Sequence, residues 1–200
     1  IFSKSDLDSK RPALFFDRDG VLIKECHYIR DANQVEIERG AKRLLRFAFD
    51  RGWLVVVVSN QSGISRKIIS WDNYFKVTKK MISLFGEPNP LSAIYANSEG
   101  PDSKKNYWRK PSPEMILRSV RLLNIDLSKS FMIGDRLTDI KSGLNAGIRF
   151  LVHTKTGYGE KEDKTINEFI NSKMIPKGSK LIEIENLTEF PYEYLYKINK

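Results

Sequence analysis

Short apolar runs alternate along the chain with segments whose apolar residues recur at helical spacing. Ala13-Leu14-Phe15-Phe16 is an apolar run that ends in charge, which predicts a buried strand. Trp53-Leu54-Val55-Val56-Val57-Val58 is the strongest strand signal, because its residues are β-branched on both faces, as in a central parallel strand. Further strands are predicted at residues 93–95, 130–133, 148–152 and 181–184.

The segments between these runs predict helices. Ala41, Leu44, Leu45 and Ala48 recur at helical spacing, and Gly52 ends that helix. Other helices are predicted at residues 71–85, 112–123, 140–146 and 164–171, the second of them with Ser112 as its cap. Alternating strands and helices predict an α/β fold, a parallel sheet with helices on both faces. We expect a single domain over residues 1–200, with a core at about 12–153 and a C-terminal helix and tail at 154–200.

The amino-acid composition limits the binding partners and the cellular compartment that we expect for this protein. The net charge of +9 favours anionic partners, and the lysines are scattered, with small clusters at Lys79-Lys80 and Lys104-Lys105. No nucleic-acid-binding module is recognisable, so a small phosphorylated metabolite is the expected partner and nucleic acid is not. No apolar run approaches the roughly 20 residues that span a bilayer. Cys26 is the single cysteine, so no internal disulfide can form, and the expected location is the reducing cytoplasm. We expect no membrane partner, and we expect a monomer.

Polar side chains follow the predicted strands where those strands end. In parallel sheets ligands bind at the carboxyl ends of the strands, so these side chains should converge on one mouth of the sheet. They are Asp17 and Asp19 after the first strand, Ser59 after the second, Lys110 before the third long helix, and Asp135 and Asp139 after the fourth strand.

These residue types suit phosphoryl transfer. Asp17 can attack phosphorus as a nucleophile, and Asp19, on the same side of an extended segment, can act as general acid and then base. A hard divalent cation such as Mg²⁺ would neutralise the reacting anions, with Asp17 and Asp135 as carboxylate ligands. Ser59 offers a hydroxyl to the phosphate and Lys110 a fixed positive charge. Asp139 can position Lys110 or the metal shell.

Four segments of the chain resemble the four signature motifs of the haloacid dehalogenase superfamily. The resemblance covers about residues 12–153 and implies a Rossmann-like domain that hydrolyses phosphomonoesters with Mg²⁺ through an aspartyl-phosphate at Asp17. It also implies that the backbone carbonyl of Asp19 joins Asp17 and Asp135 around the metal. The four segments are Phe15-Phe16-Asp17-Arg18-Asp19-Gly20-Val21, Val58-Ser59-Asn60-Gln61, Arg109-Lys110-Pro111 and Ile133-Gly134-Asp135-Arg136-Leu137-Thr138-Asp139.

Within the superfamily the motifs resemble the small, capless group that includes D-glycero-D-manno-heptose 1,7-bisphosphate phosphatases and bacterial histidinol-phosphate phosphatases. The gaps after Asp19 and between the second and third strands leave no room for a large cap. The resemblance implies that the 7-phosphate of a heptose bisphosphate is removed, for surface polysaccharide or nucleotide-sugar synthesis. It also assigns substrate-binding roles to Glu25, Cys26, His27, Tyr28, Asn60, Gln61, Ser62, Arg109 and Arg136.

The loop before Arg109 departs from the heptose enzymes, which often hold a structural zinc there with three cysteines and one histidine. No Cys or His occurs between Tyr28 and Val152, and zinc requires such ligands. We therefore expect no zinc in this loop, which Tyr107 and Trp108 would hold by packing. Arg136 stands where the heptose enzymes commonly have Lys. His153 ends a strand and is expected to pack at the rim or in the core.

Three other functions remain open at this point. The first is the hydrolysis of histidinol phosphate, the activity of other enzymes in the same group. A nucleic-acid 3′-phosphatase would also use Asp-x-Asp-Gly, and the chain is basic. A non-catalytic phospho-binding or receiver-like module would have an aspartate at a strand end, but it would lack the acid/base residue that Asp19 supplies.

Overall fold

The chain forms one six-stranded parallel sheet. The computed structural model describes residues 10–103, 107–172 and 175–197, so the predicted Lys104-Lys105 cluster lies outside the described residues. The strands are β1 Ala13–Phe16, β2 Leu54–Asn60, β3 Ala93–Asn97, β4 Phe131–Gly134, β5 Phe150–Thr154 and β6 Lys180–Ile184. Their order in the sheet is β3-β2-β1-β4-β5-β6, and each neighbouring pair is parallel. The predicted α/β class with a Rossmann-like sheet is confirmed.

In the described parts of the chain, six helices connect or follow these strands. They are α1 Ala41–Asp50, α2 Trp71–Phe85, α3 Glu114–Leu123, α4 Leu137–Ala146, α5 Gly159–Asn171 and α6 Glu193–Lys197. Short 3-10 turns occur at Ala32–Gln34, Leu127–Lys129 and Leu187–Glu189. Among the described residues, none of the helices combines the length and the apolar character that crossing a membrane requires.

The two faces of the sheet carry separate apolar cores, because successive strand residues point to opposite faces. Val55 and Val57 of β2 pack with α1, α2 and the segment 187–195 on one face. Val56 and Val58 pack with α3, α4 and α5 on the other. Both faces are therefore covered, which explains why β1 and β2 read as continuous apolar runs rather than as alternating ones.

The strand order places the functional loops beside one another. From β1 the chain builds outward through β2 and β3, and then returns to place β4 on the other side of β1. This reversal opens a crevice at the carboxyl ends of β1 and β4, where doubly wound sheets bind ligands. The Asp17 amide donates to the Ile133 carbonyl at 3.0 Å, so the residues that follow the two strands start side by side.

Several element boundaries differ from the sequence prediction, by one to five residues. β2 runs two residues further, through Asn60, because Ser59 and Asn60 pair with β3. Helix α3 begins at Glu114, one residue after Pro113, and the Ser112 hydroxyl accepts from the Glu114 amide at 3.3 Å instead of standing at the cap position itself. Helix α5 begins at Gly159, five residues before the predicted start. The prediction missed these residues because they are charged and show no apolar periodicity.

Candidate active site

Lys110 lies buried at the bottom of the candidate site and contacts several of its residues. Its ammonium lies 2.8 Å from Asp17 Oδ1 and 2.6 Å from Asp139 Oδ1, and it donates to the Val58 carbonyl at 2.8 Å. Its side chain is only 2% exposed. A buried ammonium of this kind is tolerated because two carboxylates and a carbonyl replace its water.

Asn60 fixes the backbone of Lys110 from both sides. Its side-chain amide donates to the Lys110 carbonyl, and its side-chain oxygen accepts from the Lys110 amide, both at 3.0 Å. The sequence predicts that Asn60 binds substrate, and Asn60 does line the cavity described below. Its polar atoms are nevertheless engaged with Lys110, so its visible task is to hold that lysine in place.

Three buried carboxylates meet at the ends of β1 and β4. One oxygen each of Asp17, Asp135 and Asp139 lies within 4.8 Å of the others. Burial raises the pKa of Asp17 to about 6, although Lys110 opposes this shift. Burial, followed by the charges of Asp139 and Asp17, raises the pKa of Asp135 well above its usual range. For Lys110, burial favours the neutral form, but Asp139 and Asp17 outweigh it and raise its pKa.

Asp135 has the features of a cation ligand. Its Oδ2 accepts from the Tyr158 amide at 2.7 Å, while its buried Oδ1 has no hydrogen-bond partner in the part of the chain that the structure describes. Such an atom is costly unless a cation or water completes it. Gly20 packs against the same carboxylate, and a Cβ on Gly20 would stand 2.6 Å from Asp135 Oδ2. The donor set is oxygen only, which fits Mg²⁺.

Asp19 is held by two neighbours on its outer side. The Arg18 guanidinium contacts Asp19 Oδ1 at 3.0 Å, and the Gln61 amide donates to Oδ2 at 2.6 Å. Gln61 also donates to Ser59 Oγ at 2.8 Å, which links Asp19 to the end of β2. The role of Arg18 was missed: a charged residue between two aspartates suggests a solvated turn, yet this one is 1% exposed and lies over the Tyr74 ring at 4.9 Å.

A cavity of about 570 Å³ opens above these buried groups. Its wall contains most of the predicted substrate residues, and it adds Arg66, Thr138 and Tyr158, for which the sequence predicts no role. Ser59 and Asp135 lie beneath the lining, buried at 1% and 0% exposure. The lining residues with a predicted role are Asp17, Asp19, Glu25, His27, Tyr28, Asn60, Gln61, Ser62, Arg109, Lys110, Arg136 and Asp139.

Besides the buried Arg18, three arginines line the cavity, and each side chain has one hydrogen-bonding partner. Arg66 donates to the Tyr28 hydroxyl at 2.9 Å, Arg109 to the Glu99 carbonyl at 3.0 Å, and Arg136 to Glu162 at 3.0 Å. Burial lowers the pKa of Arg109, and the charges of Arg136 and Arg66 lower it further. Positive potential therefore accumulates here, which suits an anionic ligand.

The loop 25–28 closes another side of the cavity in an unusual conformation. His27 and Tyr28 have φ values of 45° and 61°, a region that bulky side chains seldom adopt. Glu25 accepts from the His27 amide at 2.7 Å, and His27 Nδ1 shares a hydrogen bond of 2.9 Å with the Tyr158 hydroxyl. Strained residues of this kind are frequent at ligand-binding loops.

Cys26 is the one predicted substrate residue that the structure does not bring into the cavity. It is exposed and lines a separate depression of about 260 Å³ with Arg30, Gln34 and Ile68. Because the backbone turns sharply at His27 and Tyr28, consecutive residues of this loop face different sides. A contact between Cys26 and a ligand in the larger cavity has no support in this geometry.

The loop before Arg109 is held differently from the prediction. Trp108 packs near Tyr95 with ring centres 6.3 Å apart, as expected. Tyr107 is 68% exposed, so its expected packing is wrong, and it contributes its carbonyl, which accepts from the Ser112 hydroxyl. The Arg109 bond to Glu99 ties the two ends of the loop together.

The chain is similar in sequence to known proteins. A family model described as HAD-hydrolase-like matches residues 107–174. A D-glycero-beta-D-manno-heptose-1,7-bisphosphate 7-phosphatase of Pasteurella multocida is 36% identical over 159 residues, covering 76% of this chain and 86% of the relative. The enzyme of the same name from Photorhabdus laumondii is 32% identical over 182 residues, covering 86% of this chain and 97% of that protein.

The fold is also similar to a solved structure. A D,D-heptose 1,7-bisphosphate phosphatase from B. bronchiseptica, complexed with magnesium and phosphate, superposes with a TM-score of 0.74 at 24% identity. The match covers 88% of this chain and 93% of that one. At this identity the likeness shows the shared fold.

Proposed function

Since the chain belongs to the haloacid dehalogenase-like hydrolases and is a phosphatase of that type, we propose that it removes the 7-phosphate of a D-glycero-D-manno-heptose 1,7-bisphosphate with Mg²⁺. The named relatives support the substrate class. The observation that carries the proposal is the division of one cavity into two charged zones. A carboxylate and lysine centre lies below, and three arginines stand at the wall.

A bisphosphate needs both zones. One phosphate must reach Asp17 to be transferred, and the other must be neutralised where it stays attached to the sugar. Arg66, Arg109 and Arg136 offer guanidinium groups, which match phosphate oxygens better than lysine does. A monophosphate would use the lower zone and leave this positive surface without a partner.

The proposed reaction begins at Asp17. A carboxylate oxygen of Asp17 forms a bond to phosphorus while the bond from phosphorus to the sugar oxygen breaks, and Asp19 gives its proton to that departing oxygen. Asp19 then takes a proton from water as the water attacks the aspartyl-phosphate, which releases inorganic phosphate and restores Asp17. Bound Mg²⁺ would neutralise the reacting anions, with Asp17, Asp135 and the Asp19 carbonyl as its protein ligands.

The surrounding groups prepare this step. Lys110 places a positive charge 2.8 Å from Asp17, where it can also meet a phosphate oxygen. Ser59 and the backbone after β2 can donate to the remaining oxygens. Arg18 and Gln61 hold Asp19 in one orientation. The hydrogen bond from Asp19 to the departing oxygen forms only when substrate is bound.

Phosphate release from a panel of substrates tests the proposal. The full chain with Mg²⁺ is given the α and β anomers of heptose 1,7-bisphosphate, histidinol phosphate and a 3′-phosphorylated oligonucleotide, and the product is identified by ³¹P NMR. We expect one heptose anomer to have a kcat/KM at least about tenfold above the other compounds, with loss of the C7 phosphate.

The other outcomes separate the substrate from the reaction class. A preference for histidinol phosphate, or for the oligonucleotide with binding that collapses with salt, would replace the heptose assignment and keep the mechanism. No release from any of the four compounds with Mg²⁺ would contradict the mechanism itself. An Asp72→Asn variant, which alters an exposed carboxylate of α2, serves as the control for preparation effects.

A further inference from the structure

A second polar cluster lies on the side of β5 that α5 covers. His153 of β5 stands directly opposite Glu183 of β6 in the sheet register, and Asp163 comes from α5. One nitrogen or oxygen of each lies within 4.8 Å of the others. Three separate elements thus bring one imidazole and two carboxylates to one point.

His153 is the unusual member of this cluster. It is 0% exposed, and neither ring nitrogen meets the geometry of a hydrogen bond with any described residue. Its Nδ1 is 3.8 Å from Asp163 Oδ1 and 3.9 Å from Glu183 Oε1, so this nitrogen faces both carboxylates. A buried polar side chain without a partner is costly, and its presence requires an explanation.

A lysine ammonium already occupies the space between the carboxylates. Lys155 forms an ion pair with Asp163, and its Nζ is 3.8 Å from Glu183 Oε1. Asn167 donates to the same two oxygens over long distances of 3.4 Å. Unlike Lys110, the Lys155 side chain is 22% exposed, so it can turn out to solvent when another cation arrives.

We propose that His153 Nδ1, Asp163 Oδ1 and Glu183 Oε1 form a binding site for Zn²⁺, with Lys155 as a built-in competitor that leaves when the ion binds. One imidazole and two carboxylates are a donor set that Zn²⁺ accepts, with water in the fourth position. The separations of 3.8 and 3.9 Å from His153 Nδ1 need to contract by about half an ångström to fit tetrahedral bonds of about 2.1 Å. Asp163 and Glu183 are partly exposed and can make that adjustment.

The surroundings of the ring favour Nδ1 as the ligand. The Gly159 backbone lies on the other side of the ring, where a Cβ would stand 3.3 Å from Nε2. Backbone therefore occupies the space beside Nε2, which leaves Nδ1, the nitrogen that faces both carboxylates, to bind the ion. This site is also separate from the oxygen-only cluster of Asp17, Asp135 and Asp139, which suits a harder ion.

Cobalt titration tests the site, because Co²⁺ replaces zinc and absorbs visible light when ligated. The full chain is titrated with CoCl₂ in saturating Mg²⁺, so that the oxygen-only cluster is filled, and Zn²⁺ is then added as competitor. We expect one equivalent of Co²⁺ to bind with a visible ligand-field band, and Zn²⁺ to displace it.

Three variants define the residues. His153→Gln should abolish the band, and Glu183→Gln, a change at an exposed side chain that spares the core, should weaken binding by at least about tenfold. Lys155→Met should strengthen binding by about tenfold or more, since it removes the competing charge. Lys129→Met removes an equal charge at an exposed site elsewhere and should change nothing.

The chain has one other histidine, His27, beside the single cysteine. Cobalt binding that disappears in His27→Gln and persists in both His153→Gln and Glu183→Gln would overturn the proposal. So would a wild-type titration in saturating Mg²⁺ that shows no band, or a Lys155→Met variant that binds no better than Lys129→Met.

Discussion

The buried centre of the cavity and its wall are built in different ways. In the centre, Lys110 contacts Asp17, Asp139 and the Val58 carbonyl, and Asn60 fixes its backbone. At the wall, each of Arg66, Arg109 and Arg136 has one hydrogen-bonding partner and remains partly exposed, and the Arg136 side chain is 46% exposed. Under the proposed function, the chemistry would depend on a rigid network and substrate recognition on side chains that can rearrange.

The largest expected effect comes from Asp17, the proposed nucleophile. Asp17→Asn should lower kcat by about 10³-fold or more, because no other described carboxylate can take its place on the phosphorus. Phosphate release is measured against Asp72→Asn, which changes an exposed carboxylate in the same way. Full activity in Asp17→Asn would show that the proposed reaction at the buried centre is wrong.

The next test concerns the stability of the two regions. Lys110→Met leaves Asp17 and Asp139 without their shared cation, so we expect the free energy of unfolding in urea to fall by about 3–5 kcal/mol. Arg136→Met breaks a half-exposed pair with Glu162 and should cost at most about 1 kcal/mol. Equal losses would show that the two regions are not built differently.

Asp135 should respond in opposite ways with and without metal. Its pKa is raised in the folded chain, so the stability linked to its neutral form is complete below its unfolded value of 3.8 and is lost as the pH rises through the folded value. Without metal at pH 7, Asp135→Asn should therefore raise Tm, since an amide carries no buried charge.

The same variant should lose the metal response. In wild type, Mg²⁺ should raise Tm at pH 7, because binding to the folded state alone stabilises it. In Asp135→Asn that shift should shrink strongly. Thermal unfolding at several pH values, with Mg²⁺ and with EDTA, measures both effects; an unchanged Mg²⁺ shift would exclude Asp135 as a ligand.

Arg109 tests the wall. Arg109→Gln should lower kcat/KM for a heptose 1,7-bisphosphate by about tenfold or more, since it removes one charged contact to the phosphate that stays. The matching 7-monophosphate should lose much less. Equal losses for the two compounds would show that Arg109 does not read the second phosphate.

The smallest expected effect is at Tyr158. Tyr158→Phe removes the hydroxyl that bonds His27, while its amide can still donate to Asp135. KM should rise about two- to fivefold with kcat unchanged, in keeping with one neutral hydrogen bond. Tyr196→Phe, which removes a hydroxyl bonded to Arg51 far from the cavity, is the matched control. A fall in kcat with KM unchanged would place Tyr158 in the buried centre instead.

The sequence predicted the buried centre far better than the wall. Asp17, Ser59 and Asp135 follow strands whose apolar runs are unmistakable, so the sheet geometry brings them together. The sequence did not predict Arg66 and Tyr158 because they lie on loops. In a loop no hydrophobic periodicity indicates which way a side chain points. Cys26 was misplaced for the same reason, since the conformation of His27 and Tyr28 decides which loop residue faces the cavity.

The segment 187–195 has a consequence for synthesis of the chain. Leu187, Phe190 and Leu195 are buried in the same core as Phe16 and Val57, which precede them by more than a hundred residues. While a ribosome is still translating the middle of the chain, α1 and α2 can already pack on that face, but the part that residues 187–195 cover stays exposed. The nascent phosphatase should therefore depend on chaperones until residues 187–195 leave the exit tunnel.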